Sequence, residues 1–285
     1  MQSDQPLRHS RKATPCNFCL QFPKDIPFKA SAWKTHKPTC IGYRQQVEEL
    51  ARRDQEAPPR APGEPSLVKK VDLLHEFLRT HDRSILQAAY AAVCHSLGHG
   101  DIKKFDYHSN CIHFRLSYRP DCGGNPSIAF RFDSGVLMPL NELDPVCKRN
   151  YDQSNESRAE VEANVRSVVG NIFMGLLPIL YEWDGSFEWC SRGLVGDRPI
   201  AAILAAVPSF MIPPPRHEDW FMRLQFKAEH GHVLRLVGEE PSDDATELSV
   251  RIGRVKKERS KWVWVELPNE ERAACGYPVF PGIVC

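Results

Sequence analysis

Asn110-Cys111-Ile112-His113-Phe114-Arg115-Leu116-Ser117-Tyr118 alternates strictly: Ile112, Phe114, Leu116 and Tyr118 fall on one side, Cys111, His113, Arg115 and Ser117 on the other. A period of two over nine residues, rich in aromatic and branched side chains, predicts a half-buried β-strand. Ile128, Phe130 and Phe132 continue the same period beyond the Pro120 to Pro126 turn, so they predict an antiparallel neighbour. Upstream the period is helical. Ser66 can cap a helix with Leu67, Val71, Leu74 and Leu78 on one face, and Ser84-Ile85-Leu86-Gln87 matches a capping box that starts a second helix, running to Gly98. Downstream, Ser157-Arg158-Ala159-Glu160 matches another box. It predicts a long core helix with Val161, Val165, Val168, Ile172, Phe173 and Leu176 buried.

After Pro178 the sequence predicts a short aromatic strand at Ser186 to Cys190, an alanine-rich helix near Pro199 to Ala206, and an irregular stretch through Met211 to Pro215. The last quarter alternates again. Trp220, Met222, Leu224 and Phe226 lead into His232 to Val237, then Leu248 to Val255, then Trp262 to Leu267, which predicts an antiparallel meander. Helices and strands come in blocks, so residues 66–285 are expected to form an α+β domain with an antiparallel sheet. Four prolines and one glycine within residues 56–65 deny both helix and sheet and mark a linker. Before it, residues 45–55 have helix-favouring composition with a thin apolar stripe of Val47, Leu50 and Ala51.

The N-terminal part is organised differently. Cys16 and Cys19 stand two residues apart; sixteen residues later come His36 and Cys40, four apart, which a helical turn would bring to one face. Two thiolates on a knuckle with a thiolate and an imidazole from a helical turn form a closed tetrahedral zinc site, structural because no position stays open for water. This segment resembles the Cys2His2 zinc-finger family in its Cys2HisCys form, with Trp33 three positions before the first helical ligand and Phe22 or Phe28 as a second wedge. The likeness covers residues 12–45. The interval before His36 is four residues longer than the usual twelve and Pro38 lies between the helical ligands, so the family's base-reading positions are not carried over. The expected plan is therefore a flexible basic arm at 1–12, a zinc-stapled finger with a following helix at 13–55, the linker at 56–65, and the α+β domain.

Charge sharpens the functional expectation. Met1 to Gln45 holds eight basic residues against two acidic ones, a net +6, whereas the whole chain of 285 residues is only +1, leaving −5 elsewhere. A basic arm on a basic finger points to a polyanion, with Arg8, Arg11, Lys12, Lys29, Lys34 and Lys37 as the candidate nucleic-acid contacts. A single zinc finger that binds DNA or RNA, in a transcription-associated nuclear protein, is the leading expectation. One finger reads only about three base pairs. A protein-interaction module with a structural finger is the second expectation, and an enzyme with an accessory finger the third.

Two further clusters invite a functional reading. Arg251, Arg254, Lys256, Lys257, Arg259 and Lys261 run directly into Trp262 and Trp264. Cations beside exposed aromatic rings suit single-stranded nucleic acid, and the run also fits a nuclear-localisation signal; a charged hairpin turn between apolar strands is the plainer alternative. Cys94, His95, His99, His108, Cys111 and His113 are ligand types at metal-like separations, but Gly98 breaks the helix between the first two histidines. No glycine-rich phosphate loop, Walker lysine, H-E-x-x-H or G-x-S-x-G is present, so no catalytic residue is nominated. Met1 to Cys16 is polar, without an apolar leader core, and of the ten cysteines the seven outside the finger are read as reduced thiols. The longest apolar run, 165–180, carries Arg166, Asn171 and Pro178, so no membrane span is expected.

Overall fold

The computed structural model describes residues 48–49, 51–56, 64–98, 104–154, 159, 162–163, 166–167, 175–183, 196–199, 219–237 and 249–277. The chain divides into two compact units, residues 1–69 and 70–285. In the first, residues 51–56 are helical, and Arg52 ties that turn together by ion pairs to Glu49 and Glu56 at 2.6 and 2.7 Å. The finger residues and most of the proline-rich segment lie outside the described residues.

The second unit is α+β. Helices α1 (Leu67–Thr80, whose first three residues belong to the first unit) and α2 (Asp82–Ser96) precede strand β1 (Asn110–Tyr118) and strand β2 (Phe130–Pro139). Then come helix α3 (Pro145–Ser154) and strands β3 (Leu176–Trp183) and β4 (Gly196–Pro199). Helix α4 (Trp220–Glu229), strands β5 (His232–Val237), β6 (Ser249–Glu258) and β7 (Lys261–Glu266), and helix α5 (Asn269–Ala274) complete it. One sheet has the order β2-β1-β3-β4 and the other β5-β6-β7. The first is mixed, because β1 and β3 run parallel; the second is the antiparallel meander expected from the alternation.

The alternation in β1 does what it predicts on one side. Ile112, Phe114 and Leu116 are buried together with Phe130 and Phe132 of β2, and Phe77 of α1 packs on the last two with ring centroids 5.8 and 5.4 Å apart. Each such side chain contributes about 1.5–3 kcal/mol by leaving water. The Lys69 amide donates to the Ser66 hydroxyl at 3.1 Å, the expected cap of α1.

Elsewhere the sequence reading needs correction. Leu176 begins strand β3 rather than closing a long helix, and all eight residues of β3 are buried. An inner strand covered on both faces shows no alternation to read, and Pro178 is tolerated because pairing with β1 begins only at Ile179. Most of the anticipated helix, the aromatic strand at 186–190 and the alanine-rich helix lie outside the described residues. Helix α3 has no counterpart in the sequence reading, although Asp144 accepts from the Cys147 amide and Pro145 occupies the first turn. Residues 220–226 form α4, not a strand. Its alternating apolar residues include Met222 and Phe226, which are exposed, while Leu224 and Ala228 provide the buried helical face. Gly231, at φ +65°, turns the chain from α4 into β5. The capping box at Ser84 is not formed: α2 starts two residues earlier and the Ser84 hydroxyl is buried inside it. Cys147 is disulfide-bonded, unlike the free thiols of Cys94, Cys111, Cys122 and Cys275.

His81, between α1 and α2, is fully buried and donates from Nε2 to the Ser127 carbonyl at 2.8 Å. Its Nδ1 has no partner, so protonation would bury an unpaired N–H. Burial lowers the His81 pKa to about 4, against the help of Ser127, and Lys227 and His232 push it the same way. The neutral ring is therefore the native form, and the unfolded chain takes up a proton first as pH falls. Stability should be full above pH 6.5 and decline towards pH 4, by about 3 kcal/mol. Urea unfolding at stepped pH checks this, with His81→Gln, which keeps the donor but not the titration, expected to flatten that part of the profile.

Candidate nucleic-acid interface

Strand pairing assigns the basic run to faces. Arg235 lies opposite Arg251, Gly253 opposite Glu266, Val255 opposite Trp264, and Lys257 opposite Trp262. Directly paired residues share a face and successive residues alternate. One face therefore carries Arg235, Arg251, Lys257, Trp262 and Trp264; the other carries His232, Ile252, Arg254, Lys256 and Val265. The three cations of the first face are exposed and both tryptophans half-buried. Because β5 begins at His232, opposite Arg254, the part of β6 beyond Arg254 pairs only with β7, as a two-stranded ribbon.

The second face is engaged with the fold. Arg254 forms an ion pair with Glu271 of α5, His232 hydrogen-bonds the Tyr277 hydroxyl at 3.0 Å, and Ile252 is buried. Tyr277 is buried enough that its hydroxyl pKa is raised well above the ordinary value.

On the first face Trp264 lies across β6, its indole N–H donating to the Val233 carbonyl on β5 at 3.2 Å. Gly253 makes this passage possible. A Cβ there would stand 2.4 Å from the indole Cε2 and 2.4 Å from the Val265 carbonyl oxygen. The Arg235 guanidinium sits 5.7 Å from the centre of the Trp264 ring, and the Lys257 ammonium 5.7 Å from that of Trp262. Both are cation–π contacts at ranges where attraction is real but modest, about 0.5–1 kcal/mol at exposed sites.

Charge pairing is uneven. Arg251 bonds Glu266 at 2.9 Å, and the other oxygen of Glu266 is taken by Arg272 at 2.7 Å. Among the described residues no carboxylate pairs with Arg235, Lys256, Lys257, Arg259 or Lys261. Two guanidiniums directly opposite each other, Arg235 and Arg251, are unfavourable in a free sheet. Arg259, in the two-residue turn between β6 and β7, has φ +55°, the region that favours glycine, and it is the only described non-glycine residue there.

The structure thus divides the sequence candidates. Arg251, Lys257, Trp262 and Trp264 share a face; Arg254 and Lys256 lie on the opposite one; Arg259 and Lys261 are at the turn. Sequence reasoning misses Arg235 and Gly253. Arg235 is remote in sequence, and the opening for Trp264 is visible only once register is known. Cys16, Cys19, His36 and Cys40, with Arg8, Arg11, Lys12, Lys29, Lys34 and Lys37, lie outside the described residues. His113 is directed instead at Glu182, 3.2 Å away, which also accepts from Arg115 at 3.1 Å; burial lowers the histidine's pKa despite that carboxylate. Among the described residues no three metal-ligating side chains converge. A cleft of about 630 Å³ lined by Tyr118, Arg119, Asp121, Arg131 and Glu229 holds charges that are already matched, Arg119 to Asp121 at 3.0 Å and Arg131 to Asp133 at 2.7 Å. No described helix is long and apolar enough to cross a membrane. No known family model, curated protein or solved structure matches the chain.

Gly253→Ala should be destabilising by about 1–3 kcal/mol, because the carbonyl on one side cannot move away as a flexible side chain would. Thermal melting measures the loss, and a shifted tryptophan emission should report that Trp264 has left the Val233 carbonyl.

Proposed function

We propose that this protein binds nucleic acid, through a zinc-stapled N-terminal finger with its basic arm and through the cationic aromatic face of the β5-β6-β7 sheet. The observation that carries the reading is the sharing of one exposed face by Arg235, Arg251, Lys257, Trp262 and Trp264. Phosphates require cations that are not already neutralised, which Arg235 and Lys257 supply beside the Glu266-bonded Arg251, and bases require accessible rings. Zinc would be held by Cys16, Cys19, His36 and Cys40, and it stabilises a segment too short to bury a core of its own: structural zinc supplies on the order of 10 kcal/mol. Residues 56–65 would separate the finger from the α+β domain. A transcription-associated role in the nucleus accords with such a partner.

The full chain should bind labelled oligonucleotides with an affinity that falls steeply between about 50 and 200 mM salt, as counterion release demands. Replacing Arg8, Arg11 and Lys12 together with Ala should make that slope shallower and weaken all sequences about equally. Native mass spectrometry should find one zinc ion, lost in Cys19→Ser and in His36→Ala. Absence of binding, or binding indifferent to salt, would sink the proposal. Arg259→Gly supplies a separate check: stability should hold or rise by up to about 1 kcal/mol as backbone strain is relieved, while affinity drops.

A further inference from the structure

Resting on that reading, we infer that the face bearing Arg235, Arg251, Lys257 and Trp262 takes an unpaired strand of nucleic acid, without regard to base or sugar. The opposed guanidiniums define one end. Repulsion between Arg235 and Arg251 is relieved only in part, since Glu266 bonds Arg251 whereas among the described residues Arg235 has just the Trp264 ring. A phosphodiester carries one negative charge and two outer oxygens, so placed between them it can accept from both. Lys257 and Trp262, paired across the ribbon, define the other end. From Arg251 to Lys257 the strand rises about 20 Å, room for a short single-stranded site of about four nucleotides.

Trp262 decides between strand and duplex. Trp264 is spent on structure, its N–H bonded to Val233 and its ring over Gly253, whereas no hydrogen bond holds Trp262 among the described residues. In a duplex both faces of every internal base are covered by neighbours. Only an unpaired base can lay its face on this ring. Phosphate contact and ring stacking, which every nucleotide offers, argue for indifference to sequence. Arginine and lysine only donate, and among the described residues the carboxylate on this face, Glu266, already accepts from Arg251 and Arg272. An acidic peptide would satisfy the arginines but leave Trp262 without a stacking partner.

The test uses the zinc-loaded full chain with fluorescein-labelled oligo-dT and oligo-U of about twelve nucleotides, a mixed-sequence DNA duplex of equal length, and poly-glutamate. Trp262→Ala should weaken both single strands by about 5- to 100-fold and leave duplex binding, which the finger serves, unchanged. Trp262→Phe should restore most of the loss, which separates stacking from folding. Arg235→Gln should make the salt slope for single strands shallower. The two single strands should bind within about threefold of each other, a difference under 1 kcal/mol. The inference is overturned, and nucleic-acid binding left standing, if Trp262→Ala and Arg235→Gln leave single-strand affinity intact or lower duplex and single-strand affinity alike. Binding to poly-glutamate but to no oligonucleotide would overturn both.

Discussion

The aromatic seam at the centre of the mixed sheet is what the rest of the second unit hangs on. Phe77 reaches down from α1 onto Phe130 and Phe132; Phe132 meets Phe114 at 5.1 Å; Phe114 meets Trp220, the first residue of α4, at 6.2 Å. Four elements are fixed by those contacts. Fixing α4 also fixes the small sheet, since Gly231 turns the chain directly from that helix into β5, and β5 is the strand on which β6 and β7 build. The position of Arg235 is thus a downstream consequence of packing in a different sheet. Lys227 shows the same coupling. It is buried on α4, its ammonium donates to the Gln87 side chain of α2, and burial lowers its pKa to about 8.

The small sheet is built with local choices that stability alone would not favour. Arginine faces arginine across β5 and β6, Arg259 occupies a backbone region better suited to glycine, and two tryptophans remain half in water. Each departs from what strand pairing, turn geometry or burial would select. Such departures concentrate where a sequence answers to something besides its own fold. By contrast, Glu182 on the large sheet accepts from Arg115 at 3.1 Å and has the His113 ring 3.2 Å away. That cluster has the pattern of a structural group and the Arg235 face does not.

Legibility in the sequence depends on which physical signals are local. The strands β1, β2, β5, β6 and β7 alternate because one side of each is more solvated than the other, and alternation needs no knowledge of partners. Strand β3 is covered on both sides and carries no such trace, so Leu176 and Pro178 read as the end of a helix. Helix α4 misleads for the opposite reason: Met222 and Phe226 are exposed apolar residues that complete a false period of two. Within the site, Arg251, Lys257, Trp262 and Trp264 can be named because they are neighbours in the chain. Their separation from Arg254 and Lys256, and their union with Arg235, depend on register, which is a property of pairs of strands.

Net charge would argue against this face as a polyanion site, since everything after Gln45 sums to −5. Screening resolves the conflict for the turn end of the ribbon, while Arg235 and Arg251 stand only two residues, about 7 Å, from the ends of the acidic connection. At physiological ionic strength the Debye length is about 8 Å, so an exposed acid much farther away than that hardly acts on a phosphate at the ribbon. Five of the acids, Glu239, Glu240, Asp243, Asp244 and Glu247, belong to the connection from Val237 to Ser249. Its ends are about 30 Å of strand away from Arg259. Trp262, Lys257 and the turn therefore lie beyond the reach of that connection's fixed ends in salt, though not at low ionic strength, where the Debye length approaches 30 Å. Acids spread over a domain govern its solubility and its long-range repulsion, while a few unneutralised cations on one face govern contact. The composition of this chain reports the former, and the pairing of β5, β6 and β7 sets the latter.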